Sequence, residues 1–288
     1  MALDLRPSRL DEAIGALATG ARDGGPWVLV AGATDHYPAR VGRIRDEDVL
    51  DVTAIDGLRG IAEIEGGWRL GALMTWTDLA EADLPPLFDG LRAAARAVGG
   101  LQVQARGTVA GNVCNASPAA DGVPNLLALD AAVELASRRG ARRVPIGEFV
   151  TGNRRTLREP DELVTGLFVP GPIAGTTVRS GFQKLGSRAY LVISIAMVAA
   201  VAEVDPDGRI ARVRIAVGAC SEVARRLPEL EAELAGRDAR GVATSVDQLV
   251  RADHLAALAP IDDVRGTAAY RREAALVLVR RALAEVLA

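Results

Sequence analysis

The amino-acid sequence predicts an α+β protein, and three observations support this fold class. Within the first 57 residues, a helical pattern, a short apolar run and a further strand-like segment follow one another. An alternating pattern on either side of Gly66-Gly67 predicts a β-hairpin. After a Pro/Gly break at Pro170–Pro172, three strand-like segments precede three helical patterns, which indicates a separate α+β domain from about residue 173.

Residues 1 to about 57 are expected to form a small βαβ-type unit. A helix is predicted over Ser8–Leu17, because its leucines and isoleucine fall on one face and Ser8 can cap its start. Trp27–Gly32 (WVLVAG) is a continuous apolar run, which is typical of a strand that is buried on both faces. Val49–Thr53 is a further strand-like segment.

The middle region, from about residue 58 to Pro172, combines strands with helices. The segment Pro86–Val98 has amphipathic helical spacing, and a shorter helix is predicted over Thr75–Ala82. Residues 107–121 (GTVAGNVCNASPAAD) have neither a helical nor a strand period, so a loop is predicted there. The other predicted elements are a helix in LLALDA (126–131) and strands in AAVELAS (131–137), RRVPI (142–146) and DELVTGLFVPGP (161–172).

The last region is predicted to be a three-stranded antiparallel sheet with helices. Its strand-like segments are TVRSGFQKLG (177–186), ISIAMVAAVAEV (193–204) and RIARVRIAVGAC (209–220). A turn over Asp205–Gly208 joins the last two.

Composition excludes several classes of function. The net charge of −3 argues against a nucleic-acid or anionic-membrane partner, since either would select a basic surface. No run approaches the roughly 18–20 apolar residues that a membrane span needs, and the first residues lack a secretory signal pattern, so a cytoplasmic protein is expected. Two cysteines and two histidines are too few for a self-contained iron–sulfur or zinc centre. Any redox group is therefore organic or belongs to another chain.

No side chain in the sequence is a convincing catalytic residue. Both histidines are interpreted as structural or solvent-facing, with His36 a better functional candidate than His254. Cys114 could be a reactive thiol, but a small buried cysteine is the favoured interpretation, and Cys220 is expected at a strand end in the core. We therefore predict neither catalytic residues nor metal ligands in this chain.

Two glycine-bearing loops are the best candidates for a ligand site: Ala31–Asp35 (AGATD) and Gly107–Asn112 (GTVAGN). Small residues let backbone N–H groups approach a ligand closely, and successive N–H groups in a tight turn bind anions. Each loop alone could also be a structural turn. Nearby neutral donors suit phosphate and sugar oxygens, and one carboxylate could accept from ribose hydroxyls; these residues are Thr34, Thr108, Asn112, Asn115, Ser117 and Asp121.

These two loops, in their order and spacing, resemble the FAD-binding medium subunit of the molybdenum hydroxylases, the relatives of xanthine dehydrogenase, carbon monoxide dehydrogenase and aldehyde oxidoreductase. AGATD resembles that family's A-G-G-T-D, and residues 108–121 resemble its T-[IV]-G-G-N-[ILV]-x-[NT]-x-S-P-x-[AS]-D. The resemblance covers essentially the whole chain. It continues in WRLGALMTWTDL (68–79), LLALDAAVEL (126–135), ELVTGLFVPG (162–171) and FQKLGSRAYLVISIAMVAAV (182–201).

The resemblance implies a PCMH-type, vanillyl-alcohol-oxidase-like FAD domain over residues 1–172, in two α+β subdomains (1–57 and 58–172), and a CO-dehydrogenase-flavoprotein-like domain over residues 173–288. It also implies a set of FAD-binding residues. Val164 would lie against the flavin ring and Lys184 near its polar edge, where a cation favours negative charge on the ring. Asp121 would hold a hydroxyl-bearing part of the cofactor. The others, which would hold the pyrophosphate and neighbouring groups, are Ala31, Gly32, Ala33, Thr34, Asp35, Thr108, Gly111, Asn112, Asn115 and Ser117.

Three positions depart from the family pattern. Ala33 and Ala110 each stand where the family usually has the second glycine of a pair, and LVISIA (191–196) lacks an aspartate that many relatives have before Ile-Ser. An alanine costs little where φ is negative, but a positive φ would be strained. The alanines are interpreted as tolerated variation; the alternative is a partial loss of FAD affinity.

The resemblance further implies an FAD-carrying electron-transfer subunit of a heteromeric oxidoreductase. Its expected partners are a molybdopterin-binding large subunit and a [2Fe–2S] small subunit, in a dimer of heterotrimers. The chain would accept electrons from the clusters and pass them to NAD, a quinone or oxygen. The alternatives are an FAD-free structural or assembly homologue, and a stand-alone flavin oxidoreductase.

Overall fold

The computed structural model describes residues 3–42 and 46–288. Its first sheet is parallel and confirms the predicted βαβ-type unit. The strands are β1 (Asp4–Leu5), β2 (Val28–Val30) and β3 (Val49–Asp51), in the order β1-β3-β2, and α1 (Leu10–Thr19) connects β1 to β2.

Two details of this unit differ from the sequence-based expectation. Ser8 does not cap α1: Arg9 occupies the cap position, and the Glu12 carboxylate accepts hydrogen bonds from the backbone N–H groups of Ser8 and Arg9. β2 is not buried on both faces either. Only Val30 is buried; Val28 and Leu29 are half-buried, and the strand lines an open cleft.

The second sheet has the order β4-β5-β10-β6-β7 and is antiparallel throughout. It confirms the predicted hairpin at Gly66-Gly67 and the three predicted strands that follow. Its strands are β4 (Ile61–Ile64), β5 (Gly67–Gly71), β6 (Ala132–Ser137), β7 (Gly140–Pro145) and β10 (Leu163–Pro170). The sequence did not indicate α7 (Ile146–Phe149) or the small ribbon of β8 (Val150–Gly152) and β9 (Arg155–Thr156).

Helices cover this second sheet, and Trp76, Phe88 and Leu126 are among the largest side chains in the shared core. The helices are α2 (Trp76–Glu81), α3 (Asp89–Ala97), α4 (Leu101–Arg106), α5 (Val109–Asn115) and α6 (Gly122–Ala128). A 3₁₀ turn, Pro86–Phe88, leads into α3.

The prediction of a loop over residues 107–121 is wrong, because α5 lies within it. Thr108 caps the helix: its Oγ1 accepts a hydrogen bond from the Gly111 N–H at 2.9 Å. Seven residues rich in Gly, Asn and Val have low intrinsic helix propensity. Tertiary packing stabilises the helix instead, since Val109 and Val113 are buried in the core.

The third sheet is antiparallel, in the order β11-β12-β13-β14. The three predicted strands are present as β11 (Thr177–Leu185), β12 (Ala196–Val204) and β13 (Ile210–Gly218). The expected count of three is too low, because β14 (Arg225–Arg226) adds a strand that is too short to show a sequence period. The three predicted C-terminal helices are α8 (Pro228–Leu234), α9 (Ala239–Leu249) and α10 (Ala268–Leu287). Within the described ranges, no helix is both long and apolar enough to cross a membrane.

β12 is buried on both faces. One face joins a core with the C-terminal helices, which includes Val198. The other joins the core of the second sheet and its helices, which includes Ala199 and Val201. The C-terminal sheet therefore packs directly against the middle region.

A buried ion network strengthens this junction. The Glu203 side chain is fully buried, and its Oε1 accepts a hydrogen bond from Arg214 Nη2 at 2.7 Å. Arg214, also buried, donates through Nη1 to Asp130, which lies just after α6. Glu203 Oε2 accepts from the Ile173 N–H at 2.6 Å, in the segment that connects the two regions. The network thus ties β12 and β13 to both the connecting segment and α6.

Glu203→Ala is expected to destabilise the folded chain strongly. The substitution leaves the buried Arg214 guanidinium without one of its two carboxylates, and breaking a buried ion pair in this way typically costs about 3–5 kcal/mol. The shift of the urea unfolding midpoint measures the effect. Asp11→Ala is the control, because among the described residues Asp11 forms an ion pair only with Arg9 and both side chains are exposed. Equal shifts for the two variants would contradict the prediction.

Candidate cofactor site

The candidate site is a cleft of about 520 Å³ between the parallel sheet and the helices of the middle region. This volume lies within the range of about 300–1,000 Å³ that is usual for small-molecule and cofactor sites. The cleft brings together most residues of the predicted FAD site, from three separate segments. Those that line it are Ala31, Gly32, Ala33, Thr34, Asp35, Thr108, Gly111, Asn112, Asn115 and Val164.

The two glycine-bearing segments meet backbone to backbone. A Cβ at Gly32 would lie 1.9 Å from the carbonyl oxygen of Arg106, so only glycine fits there. On the other side, the Gly107 carbonyl accepts a hydrogen bond from the Trp76 N–H at 3.1 Å. The segment after β2 is therefore held against the start of α5.

The predicted ligand residues on α5 share one side of the helix. Thr108, Gly111, Asn112 and Asn115 are spaced i, i+3, i+4 and i+7, which places them on a single face. All four line the cleft. The intervening residues include Val109 and Val113, which face the core. α5 is thus an amphipathic helix whose polar face is directed at the cleft.

Ala33 and Ala110, the two alanines that stand where the family usually has glycine, have different backbone conformations. Ala33 has a φ of +54°, in the left-handed region that favours glycine. Ala110 lies in α5, where its φ is not positive, and it is buried. The strain that the sequence raised as a possibility is therefore confined to Ala33, where it amounts to about 1–2 kcal/mol for an L-residue.

Arginine side chains line the cleft, and the sequence reasoning missed them. Arg154, in the turn between β8 and β9, donates through Nη1 to Asp35 Oδ2 at 2.8 Å and to Asn115 Oδ1 at 2.6 Å. Its guanidinium holds the pKa of the Asp35 carboxyl below its usual range. Arg158 and Arg40 also line the cleft. The pair of arginines in GNRRT (152–156) was the only hint in the sequence of positive charge at this site. Its position at the cleft is evident only from the tertiary structure.

Three predicted site residues are not among the cleft walls: Ser117, Asp121 and Lys184. Lys184 Nζ and Asp121 Oδ2 form an ion pair of 2.6 Å, and Ser194 Oγ donates to Asp121 Oδ1 at 2.6 Å. Burial raises the pKa of Asp121 against the opposing effect of Lys184. The pair links β11 to the start of α6.

The pair is also connected to the cleft. Asp121 precedes Gly122, whose N–H donates to Asn112 Oδ1 at 3.2 Å. Asn112 therefore presents one face to the cleft and contacts α6 on the other. Ser117 Oγ accepts from the Ala119 N–H within its own turn.

The predictions for the two histidines and the two cysteines are confirmed only in part. His254 is structural, as predicted, since it is buried against Glu233 at 3.1 Å. His36 lines the cleft and lies 3.6 Å from Glu47. Cys220 is buried in the core, as predicted, but Cys114 is exposed in the cleft, so the expectation of a buried cysteine is wrong there. Protein atoms around the thiol still desolvate it, and this raises the pKa of Cys114 to about 11.

The residues present fit FAD. The Gly32 backbone contact and the nearby arginines suit a pyrophosphate, because close backbone approach and positive charge both favour an anion. Apolar side chains in the same cleft, including Leu29, Val103 and Val164, suit an aromatic ring system.

Comparison with known proteins agrees with this fit. The family described as "FAD binding domain in molybdopterin dehydrogenase" matches residues 4–172, and "CO dehydrogenase flavoprotein C-terminal domain" matches residues 182–286. The chain is 32% identical over 234 residues to a xanthine dehydrogenase FAD-binding subunit of Escherichia coli O157:H7, covering 78% of this chain and 76% of that one. It is 30% identical over 282 residues to a carbon monoxide dehydrogenase medium chain of Afipia carboxidovorans, covering 96% and 94%.

A solved structure, reconstituted CO dehydrogenase from Oligotropha carboxidovorans, superimposes with a TM-score of 0.87 at 26% identity, over 100% of this chain and 98% of that one. The chain therefore belongs to the family of FAD-binding medium subunits of the molybdenum hydroxylases, and its cofactor is FAD.

Replacing Ala33 and Ala110 by glycine, one at a time, is expected to change the free energy of unfolding in opposite directions. Ala33→Gly removes left-handed strain and should raise the free energy of unfolding by up to about 1 kcal/mol, after the greater flexibility of unfolded glycine is subtracted. Ala110→Gly should lower it by about 1 kcal/mol, because it places glycine in a helix and removes a buried methyl group. Urea unfolding of both variants measures the changes. Shifts of the same sign would contradict this account.

Cys114 is expected to react as an accessible but protonated thiol. The thiolate is the nucleophile, so the alkylation rate should still be rising above about pH 9, where an ordinary thiol with a pKa of about 8.5 levels off. Iodoacetamide labelling at several pH values, followed by mass spectrometry, measures this. Cys114→Ser should abolish labelling of the folded chain, since Cys220 is buried. A rate that levels off near pH 8.5 would contradict the raised pKa.

Proposed function

We propose that this chain is the FAD-carrying electron-transfer subunit of a heteromeric molybdenum hydroxylase. It would accept electrons from the [2Fe–2S] clusters of a partner subunit and pass them to NAD, a quinone or oxygen. The observation that carries the proposal is the cleft, where the segment after β2 meets the polar face of α5. The coverage of nearly the whole chain by the two family matches supports it.

The proposed assembly is a dimer of heterotrimers with a molybdopterin-binding large subunit and a [2Fe–2S] small subunit, in the cytoplasm. The names of the relatives support a multi-subunit complex, since they include medium chains, FAD-binding subunits and a subunit alpha of a dehydrogenase complex. Within this chain, we propose an FAD domain over residues 1–172, with subdomains 1–57 and 58–172, and a C-terminal domain over 173–288. The separate sheets of the fold support this division.

We propose distinct tasks for the residues around the cleft. When bound, FAD supplies the exchange of single electrons for electron pairs. Ala31–Asp35 would hold the pyrophosphate on one wall, and the polar face of α5 would hold it from the other. Val164 would pack against the ring. Asp121 and Lys184 would act from beyond the cleft wall, near the polar edge of the ring, and Ser117 from the turn after α5.

The alternative to this proposal is an FAD-free structural homologue of such a subunit, and the match of residues 4–172 to an FAD-binding family argues against it. The observation that favours it is the left-handed φ of Ala33, in the segment that would hold the pyrophosphate. A strained turn with an added methyl group weakens the case for tight binding at that wall. Flavin binding separates the two candidates directly.

The purified chain is expected to retain the visible absorbance of flavin after incubation with FAD and gel filtration. Gly32→Ala should abolish this retention, because a Cβ there lies 1.9 Å from a backbone oxygen. Gly15→Ala is the matched control, since its nearest neighbour would be 3.8 Å away. Circular dichroism checks that both variants fold. A folded wild-type chain that retains no flavin would overturn the leading proposal in favour of the FAD-free homologue.

Purification of the complex from its native host, with metal analysis, tests the partners. Molybdenum and iron that elute with this chain support the heteromeric assembly. A chain that elutes alone with FAD, and whose flavin is reduced by a substrate, would instead support a stand-alone oxidoreductase.

A further inference from the structure

The two walls of the cleft are connected at both ends of α5, but by different kinds of contact. At the start of the helix, the Gly32 backbone lies directly against Arg106. At its end, Asn115 is joined to Asp35 through the guanidinium of Arg154. The seven residues of α5 lie between these connections, which corresponds to about 10 Å of helix at 1.5 Å per residue.

The Arg154 connection is built from both backbone and side chain. The Arg154 N–H donates to the Ala116 carbonyl at 2.9 Å, which holds the β8–β9 turn against the end of α5. The side chain then reaches Asp35, 119 positions away in the sequence. Arg154 has a φ of +56°, a backbone conformation that is unfavourable for an arginine.

The charges at this connection are complementary and accessible. The side chains of Arg154 and Asp35 are 57% and 50% exposed, so solvent reaches the ion pair. An exposed pair of this kind is weak and is screened by salt. The Gly32 contact, in contrast, cannot separate without moving the backbone. The Arg154 end is therefore the end of the cleft that opens more easily.

We propose that Arg154 is a positioning residue that closes the cleft over FAD by holding Asp35 and Asn115 together. It acts through these two residues and slows release of the cofactor. This inference rests on the proposed function for the identity of the ligand. The closure itself is a property of the chain and exists without the ligand.

Release kinetics test the proposal. Arg154→Gln should speed FAD dissociation about 2- to 10-fold and change association much less, because loss of a closing contact acts mainly on release. High salt should speed release from the wild-type chain more than from the variant, since salt screens the Arg154–Asp35 pair only where that pair is present. Flavin fluorescence after dilution of the complex measures dissociation, and flavin fluorescence after mixing of the chain with FAD measures association. The control is Arg155→Gln, which removes the same charge from the neighbouring residue, at the start of β9, where the side chain pairs with Glu222 and does not line the cleft.

A double-mutant comparison distinguishes closure from a general loss of structure. If Arg154 acts through Asp35, then Arg154→Gln combined with Asp35→Asn should release FAD no faster than the faster of the two single variants. Additive effects would overturn the proposed coupling. Equal release rates for Arg154→Gln and Arg155→Gln would overturn it as well.

Cys114 gives a readout that needs no FAD. The thiol lies in the cleft beside Asn115, so opening of this end should expose it further. Alkylation of the flavin-free chain is expected to be faster in Arg154→Gln than in Arg155→Gln. Equal rates would overturn the closure even where FAD binds. If the wild-type chain binds no FAD but Cys114 is still alkylated faster in Arg154→Gln than in Arg155→Gln, the closure is supported and the proposed function is rejected.

Discussion

The contact between Gly32 and the backbone at Arg106 is the constraint on which the cleft depends. The parallel sheet and the helical middle region are two layers, and the core cluster of the parallel sheet also includes Leu73 and Leu163 of the middle region. At Gly32 their backbones are in direct contact, and any side chain at residue 32 would separate them there. The positive φ of Ala33 follows from the same constraint, because the chain must turn away immediately after this approach.

The C-terminal sheet is connected to this site through an ion pair and hydrogen bonds. None of its described residues lines the cleft. Lys184 on β11 pairs with Asp121, the adjacent Gly122 binds the Asn112 side chain, and Asn112 faces the cleft. The Glu203 network fixes the same sheet to α6 from another direction. The position of α5 is therefore determined from both the parallel sheet and the C-terminal sheet. A buried pair such as Asp121–Lys184 has a strict geometry, because desolvated charges are tolerated only when they are closely paired.

Much of the fold follows from the sequence, because long strands and helices carry a repeated pattern of burial. α3 and the hairpin at Gly66-Gly67 are predicted for this reason. β14 has only two residues and α5 has seven, so neither provides enough repeats for an apolar period to be recognised. In α5 the period was nevertheless present in the polar residues. Thr108, Gly111, Asn112 and Asn115 follow helical spacing, and searching for a polar face rather than an apolar one would have found the helix.

The site was predictable where its residues are contiguous and was missed where the fold brings distant segments together. The motif residues identify both walls, but Arg154 comes from a ribbon whose strands have three and two residues. The Gly32 backbone contact and the Arg154 ion pair also differ in how easily each can be recognised in a sequence. A required glycine leaves a signature, because no other residue fits, whereas an exposed ion pair can be replaced by many combinations of charged residues. The rigid end of the cleft is therefore encoded in a recognisable motif, and the end that can open is encoded only in the tertiary structure. A ligand that enters such a cleft would do so past the side-chain contact, since the backbone contact at Gly32 persists as long as the two layers remain folded.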